Sequence, residues 1–198
     1  MYTKETAPKA DLRVKRTRKL LWESLMSLLE SRPFDAITVN EICERAMVHR
    51  TTFYKHFEDK IHLMSHGLQE ISLRYAEESY EDRIRRPIQM FQKLGHLKQF
   101  RSLLQAVNDN PALKDVMHRQ GAELLKTDLL ELQKEGRPFA VPIEVIAEFY
   151  TGAVAGLGSW WLLNDMPVSA EQMDEYLARL IHPEIFFPGQ AADCRCEE

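Results

Sequence analysis

One short segment of the chain carries side chains whose types and spacing suit the recognition of nucleic acid. At 100° per residue, a helix over residues 49–57 brings four of them onto one face, namely Arg50, Thr51, Tyr54 and Lys55. These groups can donate hydrogen bonds to base edges and phosphates, and the major groove of DNA is wide enough to admit a helix. On an unrelated helix the same face would be merely solvated, so the interpretation depends on the elements that position it.

The elements before this segment predict a helix-turn-helix. Apolar residues recur at helical spacing from Leu12 to Ser31, and Arg32-Pro33 ends that helix because proline cannot continue the hydrogen-bond ladder. Thr38-Val-Asn-Glu41 has the form of a capping box, so a second helix should begin at Val39 and end near Ala46. Only two residues then separate it from the third helix, and short helices joined so closely cross steeply.

Apolar residues distinguish the inner side of this motif from its outer side. Val48, Phe53 and Phe57 should pack on the first two helices, and Cys43 falls on the buried face of the second helix as core filler. Short helix pairs are common in all-α proteins, so spacing alone leaves a helical interaction protein that never touches DNA as an alternative.

The rest of the chain is predicted to be helical, which makes the fold class all-α. Asp59 can cap a fourth helix from Lys60 to about Glu81, and neither strand alternation nor an internal repeat is present. The later helices are predicted at 87–94, 97–108, 111–134, 142–164 and 169–181, between proline, glycine and Asn-Asp signals. We expect a DNA-binding domain over residues 1–58 and an effector-binding and dimerisation domain over residues 59–198.

The charges are divided along the chain as a DNA-binding protein requires. The formal net charge is −4, yet residues 1–60 hold 12 Lys/Arg against 9 Asp/Glu, whereas residues 61–198 hold 14 against 21. Only the surface that meets phosphates must be positive, so a basic N-terminal end on an acidic body fits this role. A solvated basic tail would give the same counts.

Several classes of protein are disfavoured by what the sequence lacks. The start has no secretory signal, and the uncharged stretch 149–163 is shorter than the roughly 20 apolar residues of a membrane span, so we expect a cytoplasmic protein without membrane contact. Three cysteines are an odd number, and reduced thiols are expected. No metalloprotease, hydrolase or phosphate-loop motif is present, which argues against an enzyme and against a bound cofactor.

The segments Ile37-Thr-Val-Asn-Glu-Ile-Cys-Glu-Arg-Ala46 and Met47-Val-His-Arg-Thr-Thr-Phe-Tyr-Lys-His-Phe57-Glu-Asp-Lys60 together resemble the N-terminal domain of TetR-family transcriptional regulators. The similarity covers about fifty residues, Leu12 to Leu63, with turn, core and phosphate-contacting positions in register. The chain departs from the family at Met47, where glycine is frequent, and at His49, where serine often caps the recognition helix. Methionine at this turn would adopt a positive φ.

The resemblance implies roles for particular residues. Arg50 is the strongest candidate for reading bases, because arginine can pair with guanine O6 and N7. The other positions implied to read bases are Thr51, Thr52 and Asn40. The positions implied to lie near phosphates are Thr38, Tyr54, Lys55, His56 and Lys60. A repressor that reads a palindromic operator as a homodimer is the activity that the family suggests, with half-sites about one helical turn apart.

The C-terminal body should supply a dimer interface and an effector site. Gly152 and Gly156 share a helix face where another helix can approach closely, and a second apolar stripe follows Ser169. The interface residues implied are Gly152, Gly156, Trp161, Met173, Tyr176, Leu177 and Leu180, although a contact within one subunit would use the same pattern. Candidate pocket residues are Met90, Phe91, Phe100, Leu103, Leu104, Met117, Tyr150 and Trp160, most of which could equally be core. The pocket would take a small-molecule effector of unknown identity.

One further alternative concerns the end of the chain. Cys194 and Cys196 could form part of a metal or redox sensor together with a histidine, since thiolates bind soft metals. Two cysteines in a polar tail are a weak pattern, and no metal site is predicted.

Overall fold

The computed structural model describes residues 9–93 and 97–181, and every regular element within them is a helix. The all-α fold class is therefore confirmed. In chain order the helices are α1 Lys9–Leu29, α2 Val39–Ala46, α3 Arg50–Phe53, α4 Lys60–Ala76, α5 Tyr80–Arg85, α6 Pro87–Lys93, α7 Leu97–Asp109, α8 Pro111–Lys134, α9 Ile143–Leu163 and α10 Ala170–Leu180, with a 3-10 helix at Phe34–Ala36. None of the described helices is long and apolar enough to cross a bilayer.

The chain divides into two compact units. Among the described residues, unit 1 comprises 9–68 and 98–113, and unit 2 comprises 69–93, 97 and 114–181. Helix α4 begins in the first unit and ends in the second, and α8 also contributes to both. The predicted division of roles at residue 58 falls between α3 and α4, and it stays a prediction.

The second helix of unit 1 begins where the sequence predicted. The Thr38 hydroxyl accepts a hydrogen bond from the Glu41 backbone N–H, and the Glu41 carboxylate accepts one from the Thr38 backbone N–H, which is the expected capping box. At the other end of α2, Met47 has φ 53°, and the N–H of Val48 closes the turn on the Cys43 carbonyl. The positive φ expected at Met47 is therefore present, on a residue whose exposed fraction is 93%.

A close contact joins the first and fourth helices within unit 1. Gly67 of α4 lies under the Trp22 ring, and a Cβ at Gly67 would lie 2.0 Å from the nearest ring atom. Only glycine fits there without displacing the indole. Fully buried side chains from α1, α2, α3 and α4, among them Leu25, Ile42, Phe53 and Leu63, form the core of this unit.

The fourth helix was predicted to reach about Glu81, but α4 ends at Ala76, so the predicted helix is too long. Ser79 caps a separate helix, α5, by accepting a hydrogen bond from the Asp82 backbone N–H. The Arg83 guanidinium donates to the carbonyls of Ala76 and Glu78, at 2.9 and 2.6 Å, and so satisfies groups that the end of α4 leaves unpaired. The break is thus stabilised by a side chain from the following helix.

Unit 2 is built around α8, α9 and α10. Leu125, Leu129, Ile146 and Leu177 belong to one buried cluster. Asp174 of α10 is also buried, and its carboxylate accepts hydrogen bonds from the backbone N–H groups of Ile88 and Gln89 at the start of α6. An acidic side chain from one helix therefore caps another, which ties α10 to α6.

Candidate nucleic-acid interface

Helix α3 is held by aromatic side chains on its inner side. Phe53 is fully buried and Phe57 nearly so, with their ring centroids 5.8 Å apart. Phe57 also meets the rings of His62 and His66 of α4 edge-on, each with a centroid distance of 5.5 Å. The regular part of α3 covers only Arg50–Phe53, with turns continuing to His56, so it is shorter than the predicted segment. His49 precedes it without a side-chain cap.

The outer side of α3 carries the predicted polar face. Arg50, Thr51, Tyr54 and Lys55 are all exposed, while Thr52 is partly buried. The Arg50 guanidinium lies over the Tyr54 ring, 5.5 Å from its centroid, and donates a 3.3 Å hydrogen bond to the Tyr54 hydroxyl. This contact limits the conformations of Arg50 while its other donors remain available. The pairing was not predicted from the sequence, although its i, i+4 spacing could have indicated it.

At the start of α2, two predicted site residues differ in their availability. Asn40 is exposed. The Thr38 hydroxyl donates to the Glu41 carboxylate over 2.8 Å, so its single proton is engaged. The predicted phosphate contact of the Thr38 side chain is therefore corrected to a helix-capping role.

Glu41 stabilises the N-terminus of α2, the helix that precedes the turn before α3. Hydrogen bonds from the Thr38 backbone and hydroxyl, together with one from Arg32, lower the pKa of the Glu41 carboxyl to about 2. It therefore stays ionised at neutral pH and holds the first turn of α2 in place.

The Lys60 ammonium group also serves the fold. It donates to the carbonyl oxygens of Phe34, Asp35 and Ile37, at 2.8, 3.1 and 2.9 Å, and lies 4.7 Å from the centroid of the Phe34 ring. Three acceptors use all three N–H donors of an ammonium group. The predicted phosphate contact is corrected accordingly, because Lys60 joins the 3-10 helix to α4.

His56 can contribute a hydrogen bond but little charge. Partial burial, together with the positive charges of Arg18 and Lys55, lowers the pKa of the His56 imidazole below its usual value. Arg18, which the sequence pattern did not single out, lies over Phe57 and meets the His66 Nε2 atom at 3.4 Å. Its Nε atom is buried and lacks a hydrogen-bond partner among the described residues.

The predicted pocket residues do not share one environment. Met90 and Tyr150 are buried in unit 2, where Phe91 stacks on Tyr75 with a centroid distance of 5.2 Å. Met117 is partly buried and Trp160 half exposed. Leu103 and Leu104 are buried in unit 1. Phe100 belongs to α7, but its side chain lies outside the described part of the chain.

The predicted interface residues separate into two groups. Gly152, Gly156, Tyr176 and Leu180 are exposed. Trp161, Met173 and Leu177 are buried in their own subunit, and the Trp161 indole N–H donates to the Val168 carbonyl at 2.7 Å. The prediction that Trp161, Met173 and Leu177 lie in the dimer interface is corrected, because these side chains pack inside their own subunit. Sequence periodicity could not tell which of the adjacent residues Trp160 and Trp161 faces inwards.

The thiols and acidic groups of the described residues form no metal site. No group of three or more potential metal ligands occurs among them. Cys43 is buried, and this burial raises the pKa of its thiol, as expected of a core residue. Cys194 and Cys196, on which the metal or redox alternative rests, lie outside the described residues.

An exposed polar helix on a buried aromatic base, preceded by a capped helix and a tight turn, defines a helix-turn-helix protein of the DNA-binding class. Residues 23–66 match the family model described as bacterial regulatory proteins, tetR family, and residues 87–183 match a transcriptional regulator C-terminal region. The chain belongs to the TetR family of DNA-binding transcriptional regulators, and it is not an enzyme.

Solved structures share this fold at low sequence identity. A putative TetR-family regulator from Syntrophomonas wolfei is 16% identical with a TM-score of 0.65, over 84% of this chain and 93% of that one. The fatty acid degradation regulator FadR from Bacillus halodurans is 16% identical with a TM-score of 0.63, over 89% and 96%. The dihydroxyacetone kinase operon activator DhaS is 16% identical with a TM-score of 0.63, over 85% and 96%. No curated protein sequence matches the chain.

Proposed function

We propose that the protein is a repressor that binds a palindromic operator as a homodimer and is released by a small-molecule effector. The observation that carries the proposal is the two-sided character of α3 and the turn after it. Phe53 and Phe57 are buried, while Arg50, Thr51 and Lys55 are exposed. Such an element can enter the major groove without uncovering the core that supports it.

In this proposal, Arg50 reads a guanine through its O6 and N7 atoms. The contact with Tyr54 orients the guanidinium before DNA binds, which lowers the entropy lost on binding. Thr51 and Thr52 contact thymine methyl groups or base edges, and Asn40 pairs with an adenine.

Phosphate contacts fall to the remaining donors of the motif. Lys55 supplies the charge, because it is exposed. Tyr54 donates through its hydroxyl, and His56 donates as a neutral imidazole, since its pKa is lowered. Lys60 and Thr38 act indirectly by fixing the start of α4 and α2.

Dimerisation is proposed to use the exposed face of α9 together with α10. Phe149, Gly152, Gly156 and Trp160 are exposed at spacings of three or four residues along α9. A Cβ at Gly156 would meet no other atom within 4 Å, and one at Gly152 would meet only His118, at 3.8 Å. These glycines are not required by packing within the subunit, so they leave room for a partner helix. Tyr176 and Leu180 add exposed apolar surface on α10.

Repression is proposed because occupancy of a promoter is sufficient to block it. The similar fold of DhaS belongs to a protein described as an operon activator. The position of the operator relative to the promoter therefore decides the sign of regulation, and gene expression with and without the regulator would measure it.

The test is selection from random-sequence duplex DNA by the purified full-length protein at two salt concentrations. We expect a palindrome whose binding weakens steeply with salt. Arg50→Ala should lose about 1–3 kcal/mol of specific binding and relax the consensus at one position in each half-site. Arg119→Ala, which removes an exposed arginine from α8, is the matched control and should leave the consensus unchanged. Absence of any enriched sequence would overturn the proposal.

A further inference from the structure

Unit 2 contains a cleft of about 420 Å³, between the α5–α6 junction and α10. Buried side chains such as Tyr150 and Leu177 form its floor. Arg85 and Arg86 line one wall, and Glu171 and Glu175 line the other. Small-molecule sites commonly have volumes of about 300–1,000 Å³, with an apolar lining and a few polar groups. Of the predicted pocket residues, Tyr150 is the one that lines this cleft.

The charged groups of the walls are available to a ligand. Arg86, Glu171 and Glu175 are exposed and form no salt bridge with any described residue, although the Arg86 charge also acts on the Asp174 carboxylate. Asp174, which also lines the cleft, differs because its carboxylate already accepts from Ile88 N, Gln89 N and Gln89 Nε2, at 2.8, 3.2 and 3.0 Å. The lining holds two arginines, Arg85 and Arg86, on the α5–α6 side and three acidic residues, Glu171, Asp174 and Glu175, on α10. Of these charges, Arg86, Glu171 and Glu175 are the exposed ones without a salt-bridge partner among the described residues.

The cleft and the proposed dimer face use different sides of α10. Glu171, Asp174, Glu175 and Ala178 line the cleft at spacings of three and four residues. At 100° per residue, Tyr176 and Leu180 point away from that line. A partner subunit on the Tyr176 side would therefore leave the cleft open.

We propose that this cleft is the effector site and that it binds a small zwitterion with an apolar body, of the amino-acid class. The carboxylate of the ligand pairs with Arg86, its ammonium group pairs with Glu171 and Glu175, and its apolar part lies against Tyr150 and Leu177. A molecule with a single charge would leave one wall unmatched. This inference rests on the proposed function, since it assigns the effector of the same regulator.

The position of the cleft gives the ligand a route to α4. Arg83, just before the lining residues of the α5–α6 junction, donates to the Ala76 and Glu78 carbonyls at the end of α4 and pairs with Asp128 of α8. A ligand that draws the α5–α6 junction towards α10 would move α5, the helix that carries Arg83 and its hydrogen bonds to the end of α4. Helix α4 continues without a break into unit 1, so binding can shift the population of DNA-competent states.

Calorimetric titration of the full-length protein tests the ligand class. The probes are L-leucine, L-methionine and L-phenylalanine, with 3-phenylpropanoate and 2-phenylethylamine as analogues that each keep one charge. We expect at least one amino acid to bind, and both analogues to bind at least about tenfold more weakly than L-phenylalanine or not at all, as removal of a charge-assisted hydrogen bond requires. Arg86→Gln and Glu175→Gln should each weaken binding by a similar factor, whereas Arg119→Gln and Glu123→Gln on α8 should not.

Operator affinity, measured with and without the bound amino acid, tests the regulatory part. We expect the amino acid to weaken operator binding in the parent protein but not in Arg86→Gln, with circular dichroism confirming that each variant is folded. Absence of amino-acid binding, or binding that neither cleft variant affects, would overturn the assignment. If the protein binds its operator but the bound amino acid leaves that affinity unchanged, the effector role fails while the proposed function stands. Failure to bind any operator would instead refute the proposed function, and calorimetry would still decide the ligand class.

Discussion

Lys55 and Lys60 are two cations of the same motif, and the structure separates their roles. Both match positions near phosphates in the sequence pattern, yet Lys55 is exposed and Lys60 is partly buried. The Lys60 ammonium is saturated by three carbonyl oxygens that lie 23 to 26 residues earlier in the chain. The availability of a donor depends on tertiary contacts, which is why spacing within the motif could not predict this difference.

Replacement of each lysine by methionine should therefore change a different property of the protein. Lys60→Met should lower the free energy of unfolding by about 1–3 kcal/mol, because it leaves partly buried carbonyls without a donor. Lys55→Met should leave stability unchanged and reduce the slope of log affinity against log salt by about 0.9 for each phosphate that the lysine no longer neutralises. Urea unfolding and operator binding across a salt series measure the two quantities. An equal reduction of the salt slope in both variants would contradict the assignment.

Met47 is a second residue whose backbone conformation has a measurable consequence. Its φ of 53° is one that side chains with a Cβ rarely adopt, and the side chain is almost fully exposed, so its removal costs no packing. Met47→Gly should raise the free energy of unfolding by about 1 kcal/mol. Met47→Ala keeps the Cβ and should change it much less. Thermal unfolding of the three proteins measures this difference. If Met47→Gly were no more stable than Met47→Ala, the backbone at Met47 would not be strained.

At the scale of the element, the N-terminus of α2 should make stability depend on pH. The Glu41 carboxyl has a pKa of about 2 when folded, against 4.5 for an unperturbed glutamate. A pKa lowered by folding stabilises the protein above about pH 4.5, and this contribution is lost as the pH falls towards 2. Glu41→Gln keeps an acceptor for the Thr38 N–H but does not titrate, so its unfolding free energy should fall less between pH 5 and pH 2. Parallel curves for the two proteins would argue against this role.

The helices themselves show what local sequence can predict and what it cannot. The start of α2 at Val39 and of α10 after Ser169 followed from capping boxes, because both partners lie within four residues of each other. The division of α4 from α5 was not predicted, although the apolar stripe of the predicted helix ends at Tyr75. It depends on Arg83, which caps the end of α4 and pairs with Asp128, a residue 45 positions later.

At the scale of the whole molecule, the proposed dimer face makes a prediction about association. Trp160 is 50% exposed in the single chain, so Trp160→Glu should leave the subunit folded while a buried charge weakens the dimer. Sedimentation equilibrium should show a dissociation constant raised by about tenfold or more. Leu73→Glu changes another exposed apolar residue, on α4, and is the control that should remain dimeric. Equal dissociation of both variants would contradict the assignment of this face.

The DNA-binding motif was predicted more completely than the dimer face, for a physical reason. The polar and buried sides of α3 follow from neighbours within one short motif, so Arg50, Thr51 and Lys55 are exposed as expected. In α9 and α10, apolar residues occur on several sides of each helix, so their spacing does not define a single buried face. Their division into subunit core, such as Trp161, and open face, such as Trp160, needed the packing of unit 2.

The central claim is that two subunits read one palindrome through paired α3 helices, and half-site spacing tests it most directly. Operator variants with roughly 5 base pairs inserted between the half-sites place them on opposite sides of the duplex, whereas about 10 restore the same side. Affinity of the purified protein should fall sharply with the shorter insertion and recover in part with the longer one. Equal affinity for all three operators, or full affinity for a single half-site, would contradict a dimeric reader.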